Sequence, residues 1–357
     1  MIARATFAIL VATAVIVLAA RAAATLANAD ISDFRCFYEA SRLVAAGGDP
    51  YDRATWEAAT AFGTLRAAPC DPTFIYPLWT ALALVPLTAL PEPAALGSWE
   101  ALTFACIAGG TLIVARTWHA SPRTLLLVAL WSEPTYSVIA NAQLGGVTFI
   151  AAAALQSARV RSGPAVVAAS VALFLKPHVV ALTLAAAIVV LSRRTIVLVA
   201  SVLFALVAAT LALRPTWPLE LAREVAAQRR VADVGLETFW GLATAVGVDP
   251  AWAALAAVAS AAAIVVAAPR RRLNREELIA LAIPASLVVT PYARPHDFVA
   301  LLCCYGALLT RSAKIVVGVG VVFPWLLYAF TFSGLTAGFG VLVPLATAVL
   351  VARSLPR

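Results

Sequence analysis

The chain has 357 residues, 62% of them hydrophobic and only 12% charged, with a mean hydropathy of +0.92. No soluble domain of this length needs so much apolar surface, and repeated apolar runs of helix-spanning length identify an all-α polytopic membrane protein. The formal net charge of +8 does not signal a nucleic-acid partner, because the basic residues fall in short clusters between apolar runs, as cytoplasmic membrane loops do.

Arg4 precedes the apolar run Phe7 to Leu26, and Ala27-Asn28-Ala29 after it resembles a signal-peptidase site. The run is longer than a usual signal segment, so it reads as a retained first helix with the N-terminus inside. Residues 28–72 then form a long first outer loop. Within it, Asp30 to Asp52 is the most polar stretch of the first hundred residues: Asp33 sits beside Phe34, Phe37 and Tyr38, and a helical EASRLVAA segment leads to Gly47-Gly48 and Pro50-Tyr51.

Further apolar runs begin near Phe74, Leu96, Leu125, Leu144, Pro164, Val179, Ile196, Ala251, Leu278, Phe298, Ile315 and Leu335. Arg193-Arg194, Arg270 to Arg275, Arg311 with Lys314, and Arg353 fall inside by the positive-inside rule. A second large loop, residues 214–240, Pro291 to Asp297 and Ser333 then fall outside. Parity fails between Arg116 and Arg159, so one run between Leu125 and Ala158 is expected to dip in or lie flat. Trp131-Ser132-Glu133-Pro134 would interrupt it. The expectation is about twelve spans in one domain, residues 1–357, with no soluble domain.

Five cysteines follow no metal-ligand spacing. Cys36 and Cys70 share the first loop, where a single bridge and two free thiols both remain open; a bridge would need an oxidising compartment.

Three polar constellations stand out on the outer side. Asp33 reads either as a helix cap or as a functional carboxylate, with Asp30 a competing carboxylate nearby. Lys176, one of only two lysines, is embedded in LFLKPHVV. A cation at membrane depth is costly and lines a cavity or pairs with an anion, whereas near an interface it can snorkel. Thr290 to Phe298, TPYARPHDF, is a stiff two-proline turn carrying Arg294, His296 and Asp297. Arginine suits phosphate and histidine can move a proton, although a local Arg–Asp pair would also account for the loop. Asn141-Ala142-Gln143 and Phe74 to Pro77 are weaker signals, because amides in membrane helices often serve packing. The loop from Arg214 reads as an amphipathic interfacial helix or, through Trp217 and Trp240, as an aromatic sugar-binding surface.

In order along the chain occur D-F-x-x-F-Y-x-A-x-x-L-x-x-x-G-G-D-P-Y, F-x-Y-P, N-x-Q, L-K-P and P-x-x-x-P-H-D, spanning Asp33 to Asp297. This pattern resembles glycosyltransferase family 87, within the C-type (GT-C) membrane glycosyltransferase fold. Leu78 stands where that family usually has a second proline, Ala142 where it usually has glycine, and the Arg-Pro-His-Asp loop differs from the commoner Trp-containing version.

The resemblance implies a polyprenyl-phosphate-mannose-dependent mannosyltransferase or a related arabinosyltransferase in the plasma (inner) membrane, with its site on the extracytoplasmic side. Asp33 would be the general base, and Lys176, Arg294 and His296 would hold the donor phosphate. Tyr38, Tyr51, Tyr76, Gln143 and Asp297 would contact substrate. The partners would be the lipid-linked donor, a glycolipid or glycan acceptor and membrane lipid, with no metal or other cofactor. A transporter or lipid flippase is the alternative from another class.

Overall fold

The structure is a computed structural model and describes residues 2–28, 32–60, 74–157, 163–228, 236–268, 272–332 and 338–355. These residues are helical throughout, with no strand among them. The chain opens with α1 (Ile2–Ala27), α2 (Asp33–Ala45), α3 (Arg53–Thr60), α4 (Leu78–Leu84, extended as a 3-10 turn to Ala89) and α5 (Glu92–Thr117). Then come α6 (Pro122–Trp131), α7 (Glu133–Asn141), α8 (Gly145–Gln156), α9 (Gly163–Phe174), α10 (Pro177–Val190) and α11 (Arg193–Leu213). The remainder is α12 (Trp217–Gln228), α13 (Phe239–Ala245), α14 (Pro250–Ala267), α15 (Arg275–Val289), a 3-10 segment Pro295–Leu301 running into α16 (Leu302–Leu309), α17 (Ala313–Val317), α18 (Phe323–Phe332) and α19 (Leu342–Ser354).

Among the described residues, four helices are long and apolar enough to cross a membrane: Arg4–Ala27, Glu92–Thr117, Arg193–Leu213 and Ala313–Phe330. Eight more apolar helices run 10–17 residues. Val197 and Phe204 on α11 and Val265 and Val266 on α14 are 64–82% exposed, the surface expected where lipid rather than water is the solvent. The expected all-helical membrane character is present.

The run from Leu78 to Ala89 packs along α2. Ser41 Oγ donates to Ala81 O at 2.8 Å, Tyr38 Oη donates to Leu90 O at 2.8 Å, and Arg35 pairs with Glu92 at 3.4 Å. The middle and end of the run therefore both rest on α2, whose 13 residues cover only about 20 Å, short of a bilayer. Pro86 lies in the first turn of the 3-10 segment and Pro91 follows it, which ends the helix early. The Leu125–Ala158 region holds three short helices in succession, α6, α7 and α8, of 10, 9 and 12 residues. The interruption at Ser132 is also present. There α6 ends at Trp131, and the Ser132 hydroxyl accepts from Thr135 N at 3.4 Å to start α7.

Two cores result. The larger is aliphatic and centres on α8, α15 and α16, with Phe149, Ile279, Leu287, Val299 and Leu302 buried. The smaller is aromatic and lies under α2: Phe34, Phe37, Trp56, Phe74, Tyr76, Trp79 and Trp99. Cys36 is disulfide-bonded, and Cys106, Cys303 and Cys304 are buried free thiols. Cys70 lies outside the described residues.

Candidate active site

Residues far apart in sequence converge at the seam between the two cores. The first comes from α2. Asp33 is the first residue of that helix and Ser32 holds the capping position, so the carboxylate is released from the cap role. Asp33 Oδ2 instead accepts a hydrogen bond from Gln143 Nε2 at 2.6 Å, and among the described residues Oδ1 has no protein partner. Asp30, the neighbouring carboxylate, lies outside the described residues.

Gln143 reaches Asp33 because α7 ends abruptly. Ala142 takes a left-handed conformation (φ 49°, ψ 49°), which turns the chain between Asn141 and the start of α8. Gly145 then packs so closely on the far loop that a Cβ there would lie 2.7 Å from the His296 carbonyl. A side chain at 145 would push apart the two segments that carry the site.

Lys176 arrives by a different break. Pro177 ends α9 and occupies the first turn of α10, and the freed carbonyls of Phe174 and Leu175 accept from Trp79 Nε1 and Thr80 Oγ1, both at 2.9 Å. Side chains of α4 thus satisfy this break. Lys176 is fully buried and its Nζ donates to Asp297 Oδ1 at 2.5 Å. Asp297 Oδ2 accepts from the backbone N–H of Arg294 at 3.0 Å, which fixes the 290–297 loop. His296 Nε2 is 3.4 Å from the Lys176 ammonium. Ammonium offers only donors, so Nε2 accepts and the ring proton sits on Nδ1.

Arg294 differs from the other two basic groups. It is half-buried, its Nε donates to Tyr292 Oη at 3.2 Å, and no carboxylate among the described residues lies within ion-pair distance. Tyr76 completes the cluster: its ring lies 5.8 Å from the Lys176 ammonium and its hydroxyl 3.5 Å from Gln143 Oε1.

Beside this cluster is a cavity of about 260 Å³ lined by Tyr76, Pro177, His178, Leu221, Leu236 and Tyr292 among others. Leu221 and Val225 bring α12 to it as a wall. Arg214 ties that wall down, pairing with Asp49 and with Glu220 at 2.8 Å, while Trp217 stacks on Tyr51 at 6.4 Å. The helical reading of this loop is therefore present for Trp217–Gln228.

The sequence-based site residues thus divide. Asp33, Tyr76, Gln143, Lys176, Arg294, His296 and Asp297 come together. The hydroxyls of Tyr38 and Tyr51 are committed to the backbone carbonyls of Leu90 and Tyr76, the latter at 2.6 Å, and tie the loops together. His178, Tyr292 and Trp99 were not singled out. His178 and Tyr292 sit inside motifs already noted, so their neighbours were the available signal. Trp99 lies within an apolar run and carries none.

Burial raises the Asp33 carboxyl above the ordinary aspartate range; the hydrogen bond from Gln143 and the charges of Arg294 and Lys176 act in the opposite sense. A carboxylate in this state keeps more basicity than a solvated one.

The family model for glycosyltransferase family 87 matches residues 74–291, more than half of the chain. The chain belongs to glycosyltransferase family 87. No curated relative and no solved structure matches it. Family 87 membership makes the chain a membrane glycosyltransferase. The matched region contains Tyr76, Gln143 and Lys176, with Asp33 before it and Arg294, His296 and Asp297 just after it. The geometry carries those flanking residues into the same cluster.

Proposed function

We propose that this protein transfers a sugar, mannose before arabinose, from a polyprenyl-phosphate donor to a hydroxyl of a glycolipid or glycan. The reaction takes place on the extracytoplasmic side of the plasma membrane, and Asp33 is the general base. The acceptor oxygen bonds to the anomeric carbon as the bond from that carbon to the phosphate oxygen breaks. The acceptor proton goes to Asp33, and the polyprenyl phosphate leaves with the electron pair. Attack opposite the leaving group inverts the anomeric centre.

The observation that carries this reading is the pairing of opposites at one seam. Among the described residues, a carboxylate with one oxygen held by Gln143 and the other unbonded lies within electrostatic reach of an arginine that has no carboxylate partner. A base and an anion site are what this displacement needs. The adjoining cavity is predominantly apolar, which suits the phosphate-proximal part of a prenyl chain.

The phosphate contact falls to Arg294. Lys176 is already neutralised by Asp297 and His296 is a buried neutral ring, so those two act by holding the loop that presents Arg294. Arg294→Met should raise the KM for the lipid donor roughly 10- to 100-fold, the worth of one charge-assisted hydrogen bond, and leave the acceptor KM nearly unchanged. Steady-state kinetics with donor and acceptor varied separately reads this; an unchanged donor KM rejects Arg294 as the phosphate ligand.

A base works only when ionised, so activity falls as the pH drops through the Asp33 pKa. Because burial raises that pKa, the acid limb of kcat/KM should lie above the range of an ordinary aspartate. A limb at or below that range would count against Asp33 in this environment.

A further inference from the structure

The contact between Asp33 and Gln143 is made by two elements that are not joined to one another in sequence. Asp33 begins α2; Gln143 follows the left-handed end of α7. One residue of α5 touches both. The Trp99 indole Nε1–H donates to the carbonyl of Ala142, the residue before Gln143, at 2.9 Å. The same indole packs on Phe34, the residue after Asp33, with ring centroids 6.0 Å apart. Trp99 is 2% exposed, and Phe34 and Ala142 are fully buried or nearly so. A rigid ring with one donor thus spans from the neighbour of the base to the neighbour of the amide.

From the opposite side α1 holds the same helix end. Thr25 Oγ1 lies 3.2 Å from the Ala140 carbonyl and 3.4 Å from that of Ile139, and Arg21 Nη2 donates to Ala140 O at 3.2 Å. The last carbonyls of a helix have no intrahelical donor, and in an apolar setting each must be satisfied or the end frays. Here three carbonyls near the α7 end are gripped by side chains of two long membrane helices. What that grip fixes is the position of Gln143.

We propose that Trp99, with Arg21 and Thr25 behind it, is a positioning residue that sets the Asp33–Gln143 contact without touching substrate. Trp99→Phe keeps the ring against Phe34 but deletes the N–H, freeing the Ala142 carbonyl and letting Gln143 drift. The groups acting on Asp33 are then Arg294, Lys176 and Asp297 from the facing elements, with Tyr76 nearby, and these stay in place.

The inference concerns the same site as the proposed reaction and rests on Asp33 as its working group, yet its test does not need turnover. Protein labelled with ¹³C at the aspartate carboxyls is titrated by NMR in detergent micelles, with the Asp33 signal assigned from Asp33→Asn. Losing the Gln143 hydrogen bond removes a stabiliser of the ionised form, so the Asp33 midpoint should move to higher pH in Trp99→Phe, as it should in Gln143→Leu. Thr25→Val should move it the same way by less and is the variant to use if Trp99→Phe does not fold. Where sugar transfer is measured, kcat should fall on the order of tenfold in Trp99→Phe with the donor KM nearly unchanged. A midpoint that moves in Gln143→Leu but in neither Trp99→Phe nor Thr25→Val overturns the positioning role. Absence of sugar transfer in the natural protein, with these midpoints moving, would remove the proposed reaction and leave the positioning role standing.

Discussion

Asp33→Asn should lower sugar transfer by about three orders of magnitude while leaving the folded protein intact. General-base assistance contributes about 10² to 10⁴ in rate, and an amide of the same shape cannot take the acceptor proton. The substitution preserves the shape and one carbonyl oxygen, and Gln143 can still donate to that oxygen, so the seam between α2 and α7 keeps its contact. The measurement is kcat with saturating donor, alongside the melting temperature in the same detergent. A variant that melts like the natural protein and transfers at less than a hundredth of its rate is the expected result. Undiminished transfer would move the base elsewhere.

The second large effect is on stability. Lys176 and Asp297 are both about 1% exposed at the side chain and 2.5 Å apart. Removing one partner of a buried pair leaves the other charge without compensation, which costs about 3–5 kcal/mol. Lys176→Met should therefore lower thermal stability sharply and loosen the 290–297 loop, because Asp297 also holds the Arg294 backbone N–H. Asp297→Asn added to Lys176→Met removes the orphaned charge but keeps the acceptor, and should recover much of the loss. Equilibrium unfolding of these three proteins, with Asp297→Asn alone as the fourth, completes a double-mutant cycle. A Lys176→Met protein as stable as the natural one would show that the pair does not hold this region.

Hydropathy alone made the membrane class and the helical content legible, because a bilayer permits few structures for a chain this apolar. Polar residues in apolar surroundings also announced themselves. Lys176 stood out as a cation in an apolar run, Asp33 and the Arg294–Asp297 loop as polar groups on the outer side, and Gln143 only weakly; the fold draws them into one cluster. Their partnerships were not legible. Lys176 and Asp297 are 121 residues apart, and nothing local shows that the lysine's anion is an aspartate rather than a ligand. Tyr38 and Tyr51 looked like sugar contacts for their place in the loop, yet a phenol serves a buried carbonyl equally well.

The contacts of α4 were not legible for a different reason. Ala81 is one alanine in an apolar run, and only the fold shows that its carbonyl accepts from Ser41 of α2. Trp99 was invisible because an aromatic residue in an apolar helix is ordinarily core, and its second use depends on where α2 and α7 end.

In the proposed reaction the sugar comes from a lipid phosphate. The most direct test reconstitutes the natural protein in liposomes and offers radiolabelled polyprenyl-phosphate mannose, polyprenyl-phosphate arabinose or a nucleotide sugar, each with a membrane glycolipid extract as acceptor. Label should enter the glycolipid from a polyprenyl-phosphate donor and not from the nucleotide sugar. Transfer from the nucleotide sugar would contradict the proposed reaction, as would movement of the labelled lipid from one leaflet to the other with no glycosidic bond formed.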